Sequence, residues 1–563
     1  MNRIIVAFAT IAIAFAAVAG VRLERNGAAG RLMVDGKPFV VLGGELGNSS
    51  ATCDADIERI FPKLARMNLN TVLVPAYWEL TEPQEGEFDF ALTDKVMDEA
   101  RRNGLKVVFL WLGVWKNSMS CYAPEWFKTD TRRFPRARTA SGKPLEIASA
   151  FSEEVLDADR RAFSRWLKHV VERDSDNTVI MVQIENEIGM LEDARDHSPL
   201  AEAAFRRGVP EELMAYLVKN KKSLHPSLLK KWTEAGRRLS GSWAEVFGDD
   251  RYTDEYFMAW NYARYVEALA LAAREMTEMP LYVNAAMNSR GRRPGEYPSA
   301  GPLAHLKDIW HAAAPTIDFL SPDIYDSGFA DWVAQYALPD NVLFVPEVRR
   351  SDANAAQAYY VLGHHDAIGI SPFSIEGGSD SPDSPVVAAY SVLRELTPLI
   401  ARYNGSDAMD AVMLSSENPE HVITDGHTRI TLSHYFTLPW DPRAKDGSTW
   451  PETGGILMKL GEGEYILAGT GVVAKFEHES ERSSSARLGE DGFLNAGADR
   501  VNGGEAASTL RTGLAKVEEV AVNPDGTFSR VRTFNGDETH QGRHARIGVD
   551  DHKILHIKTY NYR

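Results

Sequence analysis

Apolar residues along this chain fall into short strand-like runs separated by stretches of helical spacing. Thr71–Pro75, Val107–Leu112, Thr178–Ile184, Leu281–Ala285, Asp318–Ser321, Val342–Val345 and Ile368–Ser374 each read as a strand. Most are joined by amphipathic segments such as Asp56 to Met67. An earlier run, Arg31-Leu-Met-Val-Asp-Gly-Lys-Pro-Phe-Val-Val-Leu-Gly-Gly-Glu45, turns at Asp35-Gly36 and feeds another strand that stops on Glu45. Eight strands in alternation with helices predict an α/β fold, a closed (β/α)8 barrel of TIM-barrel type, over residues 22–400.

Two departures from the repeat divide the chain further. A long connection follows the fourth strand, at about residues 190–275, with helical patterns at Pro210–Asn220, Pro226–Leu239 and Asp254–Glu275. A connection there lies on the carboxyl-terminal face of such a barrel, where it either shapes a cleft or enlarges the scaffold. From residue 404 to 563 the pattern changes to short alternating segments, among them His421–Thr424, Thr428–Leu432, Tyr465–Gly469 and Ile554–Tyr560. Their turn-separated spacing predicts a C-terminal β-sandwich. Residues 1–19 read as a signal peptide, with Arg3, an apolar Ile4 to Val18 and the small residues Ala17-Val-Ala19. That run is too short to favour a membrane span. The expected location is periplasmic or secreted, with no stable membrane insertion after cleavage, and a retained N-terminal anchor is the alternative.

Composition narrows the partners. A formal net charge of -17 argues against nucleic acid, whose binders carry basic surfaces. Cys53 and Cys121 are the two cysteines, too few for a disulfide scaffold or a multi-cysteine zinc site. In an oxidising compartment they could pair, a link worth on the order of 4 kcal/mol in the chain-entropy model. Two separate buried thiols are the alternative. His364-His365 has no companion set for a metal, and neither a phosphate loop nor a Gly-x-Ser-x-Gly elbow is present. No metal and no cofactor are expected. A homo-oligomer is left open.

The candidate chemistry is a pair of carboxylates at strand ends. Met181-Val-Gln-Ile-Glu-Asn-Glu-Ile-Gly189 ends an apolar run with Glu185, Asn186 and Glu187, and Val342-Leu-Phe-Val-Pro-Glu-Val-Arg-Arg350 ends another on Glu347. Two carboxyls on separate strand ends fit glycoside hydrolysis, in which one protonates the leaving oxygen and the other attacks or activates water. In a regular strand Glu185 and Glu187 share a face and Asn186 points away. Spacing does not choose between the two acids.

These motifs resemble glycoside hydrolase family 35, in a divergent bacterial branch, and also overlap with family 42 β-galactosidases. Gln183-Ile-Glu-Asn-Glu-Ile-Gly189 is similar to the family's acid/base motif, and the match puts the acid/base at Glu187 and a substrate-contacting amide at Asn186. Leu32-Met-Val-Asp-Gly-Lys-Pro-Phe39 resembles the entrance hairpin, and Trp78-Glu-Leu-Thr-Glu-Pro-Gln-Glu-Gly-Glu-Phe-Asp-Phe90 the second strand-end motif. The resemblance covers most of residues 31–380. It departs where Glu347 is followed by Val-Arg-Arg-Ser-Asp352 instead of an aromatic, glycine-rich stretch, and where Pro75 stands in place of a tyrosine.

The resemblance implies a retaining exo-β-galactosidase acting on a carbohydrate, with Glu347 as nucleophile and carboxyls about 5–5.5 Å apart, against roughly 6.5–9.5 Å for an inverting enzyme. Tyr325, after the sixth strand, would hydrogen-bond the nucleophile. Tyr77, Trp78, Glu79, Trp115, Asn117 and Glu376 are the further candidate sugar contacts, with Trp115 a better aromatic platform than Trp111 and Lys116 a polar neighbour. Glu45 is a weaker candidate. The alternatives are another β-glycosidase or α-L-arabinosidase on the same barrel, or a non-catalytic carbohydrate-binding protein.

Overall fold

A computed structural model describes residues 20–26, 29–287, 290–481 and 510–563. The signal-peptide segment 1–19 lies outside the described residues. A small antiparallel sheet comes first: β1 (Val21–Asn26), β2 (Ala29–Val34) and β3 (Lys37–Phe39), with Asp35 at positive φ in the turn. Eight parallel strands then close into a barrel: β4 (Val41–Glu45), β5 (Thr71–Tyr77), β6 (Lys106–Lys116), β9 (Val179–Asn186), β10 (Leu281–Ala286), β11 (Phe319–Ile324), β12 (Val345–Val348) and β13 (Gly369–Pro372). A two-stranded excursion, β7 (Arg136–Arg138) and β8 (Pro144–Ala148), lies between β6 and β9.

The period-two alternation of each strand sorts its residues between two cores. Val108, Leu110 and Leu112 of β6 join Leu73, Ile180, Tyr282, Phe319 and Phe344 inside the barrel, whereas Val107, Phe109 and Trp111 face the surrounding helices. Val21, Leu32 and Val34 belong to the inner cluster, so the first sheet closes the barrel at its amino end. The opposite end stays polar. The sixth-to-seventh transition differs from expectation: β12 begins at Val345, and Val342–Phe344 pack as buried irregular chain, with the Leu343 carbonyl accepting from the Ile368 amide.

The insertion after β9 contains the helices Pro199–Phe205, Glu211–Lys219, Pro226–Glu234 and Trp243–Phe247. It is shorter than the 190–275 read from the pattern. The long helix Arg251–Arg274, capped by Asp250, packs along Glu153–Arg173 as the barrel's own fourth helix. Among the described residues no helix is long and apolar enough to cross a membrane.

Two antiparallel sheets form the C-terminal part. One runs in the order β14 (Met409–Leu414), β17 (Thr453–Gly461), β18 (Glu464–Thr470), β23 (Lys553–Tyr562), β20 (Arg511–Val522), β21 (Phe528–Thr533). The other is β15 (Glu420–Asp425), β16 (Thr428–His434), β19 (Val472–His478), β22 (Ala545–Arg546). Tyr465 and Leu467 of β18 meet Ile430, Leu432 and Phe476 of the second sheet, which makes a sandwich. Ile466 and Ala468 point the other way and join the barrel core. Gly363 on the helix Asn354–His364 allows this docking, since a Cβ there would lie 2.6 Å from Ala411 and 2.9 Å from Ile456.

Candidate active site

The carboxyl ends of the barrel strands converge on one polar cluster. Glu45 ends β4, Lys116 ends β6, Asn186 ends β9 with Glu187 next in chain, Asn284 and Asp323 lie on β10 and β11, and Glu347 lies on β12. All seven are buried. Carboxylate oxygens of Glu187, Asp323 and Glu347 lie within 4.8 Å of one another.

Local backbone geometry creates this arrangement. Glu185 and Glu187 both adopt left-handed conformations, at φ of 60° and 48°. For residues with a Cβ such conformations cost free energy of order 1–3 kcal/mol each and concentrate at functional sites. The shared face expected for the two acids is therefore overturned. Glu185 turns outward and accepts from the Val114 and Trp115 amides at 3.3 and 2.7 Å, while Glu187 enters the barrel mouth. Asn284 fixes that turn. Its Oδ1 accepts from the Glu187 amide at 3.0 Å, and its Nδ2 donates to Asp323 at 2.6 Å.

Glu347 sits among groups of opposing effect. Burial, and then the negative charge of Glu187, push its carboxyl up to about 7, against the pull of Lys116 and of the Tyr325 hydroxyl, which donates to Glu347. Among the described residues no N–H or O–H reaches the Glu45 oxygens, and the Glu45 carboxyl interacts with that of Glu347. Burial, then Glu347, raise Glu45 well above the usual carboxylate range. Asp323 is raised by burial, then by Glu347 and Glu187. Glu45 and Glu347, buried and interacting, titrate as a coupled pair.

The remaining sequence candidates divide. Asn117, exposed and at φ 50°, donates to Glu187 through Nδ2. Asn186 accepts from Lys116 Nζ at 2.9 Å, and among the described residues its Nδ2 has no partner. Glu376 accepts from Ser50 Oγ at 2.6 Å and from the Gly47 amide, tying the loop after β13 to the loop after β4 at the rim. Tyr77 lines the barrel interior and stacks on Tyr122 at 6.0 Å. Glu79 is partly exposed, 3.5 Å from Lys128.

Two tryptophans expected as sugar contacts belong to the packing instead. Trp115 is 0 % exposed, its ring edge-on to Tyr265 at 4.7 Å and Tyr262 at 5.4 Å. Trp78, also 0 % exposed, donates to Glu82 at 2.8 Å and packs on Trp126 and Phe127. The register of β6 against β9 shifts between Trp111 and Lys116, which sends Trp115 outward and Lys116 into the mouth. Cys53 and Cys121 are both free and exposed, which overturns both the pairing and the buried-thiol readings.

Sequence reasoning missed Asn284 and Asp323 and gave Glu45 too little weight. The signal was present, since each is a polar residue inside an otherwise apolar strand run, and Asp323 stands two positions before Tyr325 on the same strand direction.

Beneath the site, Glu185 and Asp159 are hydrogen-bonded carboxyls, Asp159 also accepting from Trp111 Nε1 at 2.9 Å and the Tyr265 hydroxyl at 2.8 Å. Burial, then Asp159, raise Glu185 well above the usual range, so a proton stays between them. Gly113 makes room for this network: a Cβ there would lie 2.4 Å from Trp111 Nε1 and 2.7 Å from both Asp159 Oδ1 and Glu185 Oε1. Gly113→Ala is expected to cost roughly 1–3 kcal/mol by overpacking. Displacement of Val114–Asn117 should lower activity as well. Urea denaturation and kcat/KM on the same sample check both.

Residues 50–235 match a family model described as Beta-galactosidase, that of glycoside hydrolase family 42, and residues 386–546 match one described as a domain of unknown function. The matched barrel segment is thus similar to family 42 β-galactosidases, the second of the two families that the sequence resembles. A curated β-galactosidase of Xanthomonas manihotis is 29% identical over 178 residues, which span 30% of this chain and 26% of that protein. The chain therefore covers about a quarter of the length of the relative it matches. The β-galactosidase of the psychrophilic Marinomonas ef1 superposes with a TM-score of 0.45 at 15% identity, covering 65% of this chain and 60% of that one. That of the haloarchaeon Halorubrum lacusprofundi gives 0.44 at 15% identity, with 63% and 58% covered.

Proposed function

We propose that this protein is a retaining exo-β-galactosidase that releases terminal β-D-galactosyl residues from oligo- or polysaccharides. The observation that carries the proposal is the buried pair Glu187 and Glu347, brought from separate strand ends to within 4.8 Å. Ionised Glu347 attacks the anomeric carbon as the glycosidic C–O bond breaks, and Glu187 gives its proton to the departing oxygen. Glu187 then takes a proton from water, whose oxygen attacks the anomeric carbon and frees Glu347. Tyr325 and Asn117 donate to the two carboxyls and hold them in place. The unpartnered Nδ2 of Asn186 is a donor available to a sugar hydroxyl.

The choice of galactose rests on the matched family model and on the Xanthomonas relative, both named β-galactosidase. A panel of 4-nitrophenyl glycosides tests it. Turnover is expected to be fastest on the β-D-galactoside. Preference for a glucoside, mannoside or α-L-arabinoside would keep the carboxylate mechanism and change the sugar, whereas calorimetric sugar binding with no turnover on any glycoside would make the barrel a binding module. Export is part of the same proposal, resting on the pattern of residues 1–19. Cell fractionation with the N-terminal mass of the purified protein tests it.

A further inference from the structure

We propose that Lys116 is a positioning residue that sets both the orientation of Asn186 and the charge of the carboxyl cluster. Its kinetic consequences rest on the glycosidase reading above, whereas its electrostatic consequences do not.

Lys116 is the last residue of β6 and only 3 % exposed. Its backbone is pinned by reciprocal hydrogen bonds with Met119, Lys116 N to Met119 O at 2.8 Å and Met119 N to Lys116 O at 3.0 Å. The shifted register places it beside Asn186 across the strand pair. The ammonium donates to Asn186 Oδ1 at 2.9 Å. An amide whose oxygen is held by a cation has its other end fixed too, so the bond turns the buried, unpartnered Nδ2 away from Lys116.

The titratable groups around the mouth come from several elements. Glu45 comes from β4, Tyr77 from β5, Glu187 from just beyond β9, Tyr282 from β10, Asp323 from β11 with Tyr325 just beyond it, and Glu347 from β12. Cys121 stands on the loop that follows Lys116 itself. Four of these are buried carboxyls, and Lys116 favours the ionised form of Glu45, Asp323 and Glu347. A buried ammonium is costly without compensation. Here it lies where a nucleophilic carboxylate must lose its proton despite an anionic neighbour.

Lys116→Gln keeps a polar donor and removes the charge, and Lys116→Arg keeps the charge. In Lys116→Gln, kcat/KM is expected to fall at least 10-fold. The acid limb of its pH profile should move up by half a unit or more, because without the cation Glu347 holds its proton to higher pH. Lys116→Arg should keep the limb at its parental position. A second readout needs no substrate: melting temperature from pH 4 to 9, in which Lys116→Gln should lose more stability than the parent as the carboxyls ionise. An unmoved acid limb, with a melting-temperature loss equal at all pH, would overturn the proposal. If the parent hydrolyses no glycoside, the enzymatic reading falls and the melting curves still decide the role of Lys116. Should Lys116→Gln be unfolded at pH 7, it is measured at pH 5, where the carboxyls are more protonated and the missing cation matters least; failure to fold there also overturns the proposal.

Discussion

Replacing Glu347 by glutamine is expected to lower kcat/KM on an aryl β-galactoside by on the order of 10⁴-fold and to make the folded protein more stable at pH 8. The first effect follows from losing the carboxylate that forms the covalent intermediate, which a neutral amide cannot replace. The second follows from electrostatics. Burial and Glu187 raise the Glu347 carboxyl to about 7, above its ordinary value near 4.5, so the fold favours its protonated form. The stability it contributes is complete below about 4.5 and is lost as pH rises through about 7. Glutamine, close in shape and never charged, escapes that loss. The variant should therefore gain over the parent by roughly 1–3 kcal/mol at pH 8 and by much less at pH 4, read from chemical denaturation at the two pH values. A variant that is inactive but equally destabilised at both would mean that Glu347 serves the fold and that no strain is stored at the site.

Glu187→Gln is expected to show its defect in proportion to the leaving group. A poor leaving group needs the proton that Glu187 supplies, so hydrolysis of a galactosyl disaccharide should fall by roughly 10²–10⁴-fold. A dinitrophenyl galactoside leaves without that help, and its first step should change little, with the intermediate accumulating because water has lost its base. The pH profile adds a signed test. In the parent, kcat/KM should rise as pH passes through about 7 and Glu347 ionises. In Glu187→Gln that acid limb should move to lower pH because Glu347 no longer faces a negative neighbour. Equal defects on both substrates would remove Glu187 from the acid/base role.

How much of this was legible beforehand varies with the range of the interaction concerned. The barrel strands were readable because alternation along a strand is local: Val107 through Leu112 is apolar on both faces since one face meets helices and the other the barrel interior. The candidate carboxyls were readable because a charged residue closing an apolar run must sit at a strand end. The long helix Arg251–Arg274 was readable as a helix but not as part of the barrel, because its place depends on packing against Glu153–Arg173, about a hundred positions earlier. Trp115 was misjudged for a related reason. Its neighbours in sequence, Lys116 and Asn117, do reach the mouth, and only the register shift within β6 separates them from it.

The sequence by itself determined the alternating architecture, the sandwich that follows it and the strand-end acids Glu187 and Glu347, since each depends on the order and period of neighbouring residues. Tertiary structure alone decided which acid of the Glu185, Glu187 pair faces the mouth, because positive φ at both positions breaks the alternation that spacing assumes. It likewise decided that Glu45, Lys116, Asn284 and Asp323 share that mouth. They come from four strands scattered over most of the barrel sequence, and closure of the parallel sheet is what makes them neighbours.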